Sequence, residues 1–218
     1  MLEDHLKTND NEAGAPEAPA TTAVKVTGIA ILGSHPATVM KAPFADPGWL
    51  IYACSPHNVE KRALPRVTQW YEVHDTIEDP TRAFAYLKAV SEMPFVWMRD
   101  QRALASGAFK GARPYPDQEL FGTATALPDG SSVPNGDGLF CPYMATSSIA
   151  YMLAKAIVDC EAQGIKQLGL WGIMQASEGE YVYQRPGIQY FLHQATKRGI
   201  KVIANRESRL FDMPQWKW

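Results

Sequence analysis

Residues 146–211 read TSSIAYMLAKAIVDCEAQGIKQLGLWGIMQASEGEYVYQRPGIQYFLHQATKRGIKVIANRESRLF, and this stretch decides the fold. A helix, a Gly-Ile-Lys turn and an apolar strand occur twice, with a polar, tyrosine-rich loop between the two passes. Gly164 and Gly199 stand where a helix C-cap needs a left-handed residue, and each is followed by Ile-Lys and an apolar run. Alternation of helix and buried strand predicts an α/β fold whose parallel sheet has helices packed on it. In such folds the loops leaving the carboxyl ends of the strands hold the ligand. The loop 173–184, which leaves the strand Gln167–Trp171, is therefore the first place to look for chemistry.

Working outward, the first strand is 24–32, nearly continuously apolar, as a strand covered on both faces must be. Further strands fall at 49–54, near 69–73, at 94–98 and at 201–204. Asp79 and Pro80 supply an N-cap and a first helical residue, followed by an Ala83, Leu87, Val90 stripe. The helix 147–162, capped by Thr146, turns Ile149, Leu153, Ala156, Ile157 and Cys160 inward. The last helix starts at Pro186 and turns Ile188, Phe191, Leu192 and Ala195 inward. Segment 99–143, rich in Gly, Pro and Asp, reads as a lid, or as an insertion with its own hairpin, over the ligand face. Residues 1–24 read as a mobile tail and 25–218 as one domain.

At 218 residues, with 46% hydrophobic and 20% charged side chains, the composition is that of a globular domain. A net charge of −2 argues against gripping nucleic acid by electrostatics alone, which leaves nucleic acid only as an acceptor. No apolar run approaches the roughly 20 residues of a membrane span. The N-terminus lacks the apolar core of a signal peptide. Cys54, Cys141 and Cys160 are odd in number and lack CxxC spacing, so a disulfide framework or zinc site is not expected and a cytoplasmic setting fits best.

The candidate site residues follow from strand ends. Gly33, Ser34 and His35, closing the first strand, let the backbone approach a phosphate; the plain alternative is a turn. The motif is neither GxGxxG nor a P-loop. Cys54, Ser55 and Asn58 follow the second strand, where small polar groups can read a base or ribose, or simply cap the loop. Arg66 can clamp a phosphate or stay solvated. His74 and Asp75 form either an acid/base pair or a strand cap. Glu178, Glu180, Tyr181, Tyr183, Gln184 and Arg185 make the densest polar cluster: carboxylates to accept a proton, tyrosines to donate or stack, an arginine to neutralise a leaving group. Of these, Glu178, Glu180 and Tyr183 are the catalytic candidates. Trp216 and Trp218 suit a groove or an oligomer contact.

The turn at Gly33 to Pro36, the polar Cys54-Ser55 with Asn58, the run TSSIAYMLAKAI…GIKQLGLWGI, and the closing Ser208 and Leu210 together resemble a known family. It is the Rossmann-like family that contains bacterial lipooligosaccharide sialyltransferases and the archaeal-type 6-hydroxymethylpterin pyrophosphokinases. The resemblance spans most of 25–211. It implies a Rossmann-like, mostly parallel sheet with helices on both faces and a long loop or hairpin insertion. It also implies a nucleotide-activated donor at the strand ends, with Ser147 and Ser148 near it. The chain departs from the family pattern in three places: the turn lacks a second glycine, Met174 stands where an acidic residue is common, and 177–185 holds no histidine. Compact proteins of this kind also resemble ones encoded by bacteriophages. The expectation is a transferase using a nucleotide-linked donor for glycosyl or nucleotidyl transfer. The rival is a non-catalytic nucleotide- or nucleoside-binding protein closing the 99–143 lid over its ligand. The sequence names no cofactor and leaves a homo-oligomer open.

Overall fold

Gly28–Leu32 (β1) buries all five of its residues, as an apolar strand in the middle of a parallel sheet must. The computed structural model of the chain describes residues 24–60, 64–74, 84–174 and 181–211. The tail before Val24, the Asp79-Pro80 helix start, and Trp216 and Trp218 lie outside them. Val24 itself is exposed, and the first strand starts only at Gly28.

After β1 come β2 (Trp49–Ala53), β3 (Gln69–Glu72), β4 (Val96–Met98) and β5 (Ala112–Pro114). A separate hairpin, β6 (Ala124–Ala126) and β7 (Ser132–Pro134), precedes β8 (Gln167–Trp171) and β9 (Lys201–Ala204). Among the described residues the sheet has seven strands in the order β5-β4-β3-β2-β1-β8-β9, and every neighbouring pair is parallel. The fold is α/β and Rossmann-like.

Alternation along the strands sorts two cores. Ile29 and Ile31 of β1, Tyr52 and Tyr71 face one way, against Leu153 and Ile157 of α6 (Ser148–Gln163) and Ile188 and Phe191 of α7 (Tyr181–Lys197). Ala30, Leu32, Ile51 and Trp70 face the other way, against Val39 of α1 (Pro36–Val39), Tyr86 and Val90 of α3 (Phe84–Ser91) and Ala103 of α4 (Gln101–Ala105). Helices therefore cover both faces. Gly164 and Gly199 end α6 and α7 with φ of 67° and 71°, the left-handed caps their sequence context demands.

Three boundaries differ from the sequence reading. The cap of α6 is Ser147, whose Oγ accepts from the Ala150 amide, so the helix starts one residue later than a Thr146 cap implies. α7 starts at Tyr181 and carries Pro186 inside it, because the burial of its Ile188, Phe191, Leu192 and Ala195 face outweighs the one backbone bond that a proline forgoes. Part of the 99–143 segment belongs to the sheet: β5 pairs with β4, and α4 and α5 (Asp117–Phe121) flank it. Only the β6–β7 hairpin projects, with five of its six strand residues exposed and Pro134 half-buried. Its base is tied by Thr123, which donates from both N and Oγ1 to Asp137 at 2.7 Å.

Leu153 is fully buried under the sheet, so Leu153→Ala is expected to cost about 2–5 kcal/mol in chemical denaturation. A loss well under 1 kcal/mol would put the residue at the surface. A second expectation concerns alkali. Burial pushes the phenols of Tyr52, Tyr71 and Tyr115 well above their usual 10.0, with Asp159 adding to the shift at Tyr52. Burial also pushes the Cys160 thiol up to about 12 from 9.0. These groups ionise more readily unfolded than folded, so their contribution is complete below pH 9 and is lost as pH rises through the folded values. The thermal midpoint should hold to about pH 9 and then fall steadily towards pH 12; a flat profile over that window would contradict the assigned burial.

Candidate functional site

Because all seven strands are parallel, their carboxyl ends lie along one edge. α6 leads into β8 and runs against the strand direction, so its N-terminus faces that same edge. The order reverses between β1 and β8, which have their crossover helices on opposite faces: α1 follows β1 and α7 follows β8. This is the switch point at which open α/β sheets usually place a ligand.

Here the switch point is closed by backbone. The Gly33 amide donates to Trp171 O at 2.9 Å, the His35 amide to Gly172 O at 2.7 Å, and the Gly172 amide to Thr38 Oγ1 at 2.8 Å. A side chain at Gly33 would overlap the Gly172 carbonyl. The amide of 35, expected with Ser34 to donate to a phosphate, is consumed within the protein, as is the amide of 33. His35 Nδ1 in turn accepts from Ala37 N and caps the single turn of α1. Ser34 is half-buried in the same turn.

The residues after β2 are likewise drawn inward. Cys54 is buried with its Sγ directed at Leu32 O. Asn58 donates from Nδ2 to Gly33 O at 3.0 Å and Cys54 O at 2.8 Å, pinning the ends of β1 and β2 together. Ser55 stays half-buried at the edge with φ of 85°, a left-handed backbone uncommon for a residue other than glycine. Arg66 sits at the opposite end of the strands, where Nη2 donates to Asp46 O and Trp49 O.

Two strands away the edge is chemically richer. His74 follows β3, and its Nε2 lies 3.2 Å from Ser148 Oγ in the first turn of α6. Its backbone amide donates to Glu72 Oε1 at 3.2 Å, and the buried Glu72 carboxylate also accepts from Tyr86 OH. The Ser148 and Ile149 amides open α6 without intrahelical acceptors, so a partial positive charge faces His74. Arg99, following β4, lies 4.6 Å over the Tyr151 ring and donates from Nε to Asp117 at 2.9 Å. Burial alone would lower the pKa of its guanidinium, but the Asp117 bond together with the charge interactions of Tyr151, Asp117 and Tyr115 raises it above the usual value, so the charge is permanent. An imidazole, a hydroxyl, a helix start and an arginine thus line adjacent strand ends.

The tyrosine-rich cluster divides. Glu178, Glu180 and Asp75 lie outside the described residues, and of Tyr181 only its place at the start of α7 is described. Tyr183 is 78% exposed. The Gln184 carbonyl accepts from Thr146 Oγ1 at 3.3 Å, which ties α7 to the residues just before α6. Arg185 is buried, with Nε on Leu210 O at 3.0 Å, so its guanidinium anchors the segment after β9. Ser147 and Ser148 do stand together at the edge, Ser147 spent on the cap and Ser148 on His74. His74 carries two readings in the sequence, acid/base group or strand cap, and Arg99 falls at the start of the segment read as a lid or insertion. The strand-end rule applied to PFVWM would have found Arg99, whereas nothing local reveals the His74–Ser148 contact.

Among the described residues no three His, Cys, Asp or Glu side chains gather as a metal site, and no helix is long and apolar enough to cross a membrane. No known family model, curated protein or solved structure matches the chain.

Gly33→Ala should destabilise the protein by about 1–3 kcal/mol, because the obstructing atoms are backbone of Gly172, just past the end of β8. Urea denaturation reads this directly, and an unchanged midpoint would mean that the β1 and β8 loops are not in contact.

Proposed function

We propose that the protein is a group transferase acting on a nucleotide-linked donor, with its reacting centre at the ends of β3 and β4 beneath the start of α6. The observation that carries this reading is the 3.2 Å contact between His74 Nε2 and Ser148 Oγ at that helix start. A helix N-terminus attracts phosphate through its open amides and its dipole. A histidine beside it can take a proton at neutral pH. In the proposed step an acceptor hydroxyl loses its proton to His74 Nε2 as its oxygen bonds to the transferred group. The bond from that group to the donor's phosphate oxygen breaks, and the phosphate departs as an anion held by the Ser148 and Ile149 amides, with Arg99 as the neighbouring positive charge. In this reading Tyr183, exposed near the start of α7, stacks on a base or sugar of the donor.

The rival, a nucleotide-binding protein without turnover, uses the same helix start and differs only in whether His74 moves a proton. Purified protein is incubated with nucleoside diphosphate and monophosphate sugars and with ATP, and nucleotide release is followed by phosphorus NMR. The transferase reading expects release with at least one donor, lowered about 10²–10⁴-fold in His74→Gln without loss of the fold. Binding without release by the parent protein would favour the rival instead. Release undiminished in His74→Gln would remove His74 from the chemistry.

A further inference from the structure

The helices named above, and the single-turn α2 (His57–Glu60) whose Val59 joins the second core, all pack on the seven-stranded sheet. Among the described residues none of them buries β6, whose three residues are exposed throughout. Leu127 N donates to Ser131 O at 2.7 Å and Asn135 N to Thr123 O at 2.9 Å, so the hairpin ladder runs from 123–127 against 131–135. Bonded and non-bonded pairs alternate in an antiparallel ladder. Thr125 and Val133 are therefore a bonded pair, whereas Ala124 and Ala126 turn their N–H and C=O groups away from β7.

The two outer edges of this hairpin are not alike. On β7 the outward positions are Ser132 and Pro134, and Pro134 has no N–H to offer. On β6 both outward positions keep donor and acceptor, and among the described residues no strand lies on that side. The edges of the main sheet are protected: β5 carries Arg113 and Pro114, and β9 begins at exposed Lys201. Charge and proline are the usual devices against edge-to-edge pairing, and the Ala-Thr-Ala of β6 has neither. Leu127 and Val133, on the same face as Thr125, add exposed apolar surface. A two-stranded hairpin with no packed face is marginal in water, and added strands relieve this.

We propose that β6 pairs antiparallel with β6 of a second copy of the chain, about a two-fold axis through Thr125, giving a four-stranded sheet in the order β7-β6-β6-β7. Ala124 exchanges both backbone bonds with the partner's Ala126, and Ala126 with the partner's Ala124. The two Thr125 residues meet as a non-bonded pair with Cα atoms about 4.5 Å apart. The edge is self-complementary, because the two-fold brings each donor onto an acceptor and β6 has no charge to repel its own copy. A foreign strand would gain the same backbone bonds, but only a second copy doubles the Leu127 and Val133 face and satisfies two open edges at once. Pro134 blunts both outer strands, so assembly closes at the dimer. The contact is small, and the dimer is a weak, concentration-dependent one.

The test traps the pair in the full chain. Thr125→Cys and Val133→Cys are each oxidised with copper phenanthroline and read on a non-reducing gel, the parent chain giving the background from half-buried Cys141. Thiols in a non-bonded antiparallel pair lie within disulfide reach. Residue 133 is also exposed but lies three strand spacings, about 14 Å, from its copy. Thr125→Cys should therefore dimerise many-fold faster than Val133→Cys. In sedimentation equilibrium from micromolar to millimolar protein, the parent chain should show a monomer–dimer equilibrium. Ala126→Pro, which removes only an N–H facing away from β7, should weaken it about tenfold or more, since the two-fold loses that bond twice. Ser132→Pro, the matching change on β7, should leave it unchanged. Should a proline variant unfold the hairpin, the two cysteine variants still decide. Equal rates for these two mean random collision and overturn the proposal, as does faster linking of Val133→Cys. A parent chain that stays monomeric at millimolar concentration overturns it too.

Discussion

The arrangement of the edge depends on one buried contact far from it. Asp159, near the far end of α6, accepts the Tyr52 hydroxyl proton at 2.6 Å and pairs with Lys155 one turn earlier. Tyr52 belongs to β2, so this bond fixes the axial position of α6 on the sheet. A carboxylate this buried tolerates no slippage, because losing one partner of a buried pair costs about 3–5 kcal/mol. Eleven residues of helix separate Ser148 from Asp159, about 16 Å at 1.5 Å per residue. Moving α6 by one turn would shift Ser148 about 5.4 Å along the helix axis and break its contact with His74. A hydrogen bond with no contact to any ligand thus sets the geometry at the strand ends.

Aromatic packing carries that constraint sideways. Trp97, Tyr115, Tyr151, Phe121 and Phe191 meet edge to face in succession, with centroids 5.4–6.5 Å apart. The chain of rings joins β4 to α6, α5 and α7, and Tyr115 adds a hydrogen bond to Tyr151 O at 2.7 Å. Arg99 rests on Tyr151 and Lys155 lies 5.0 Å over Trp97, so the cations near the sheet are held by faces of the same rings. Such pairs favour fixed mutual orientations, which a core of aliphatic side chains would not impose.

What could be read from the sequence was what is local. β1, β2 and β8 announce themselves by apolar runs, and Gly164 and Gly199 by the chemistry of helix termination. β5 could not be read: Ala112-Arg113-Pro114 is three residues at a sheet edge with no apolar pattern, and it is a strand only because β4 lies beside it. The start of α7 was obscured by Pro186, whose local preference loses to the burial of the face that follows. The site suffered most. Arg185 looks like a ligand partner until the Leu210 carbonyl is brought to it, and Asn58 looks like a base reader until it is seen joining two strand ends. His74 and Ser148 are 74 residues apart, and only the seating of α6 unites them.

The sheet's order also sets a sequence of events. β1 pairs on one flank with β2, Gly28 against Trp49, and on the other with β8, Gly28 against Gln167. The first flank closes across a short span; the second closes only across most of the domain, and long-range pairing of this kind is slow. Until α6 and β8 arrive, Ile29 and Ile31 have neither their cover nor their second neighbour. A ribosome adding residues one after another therefore leaves this fully buried strand waiting longest, and its enclosure comes only near the end of the domain.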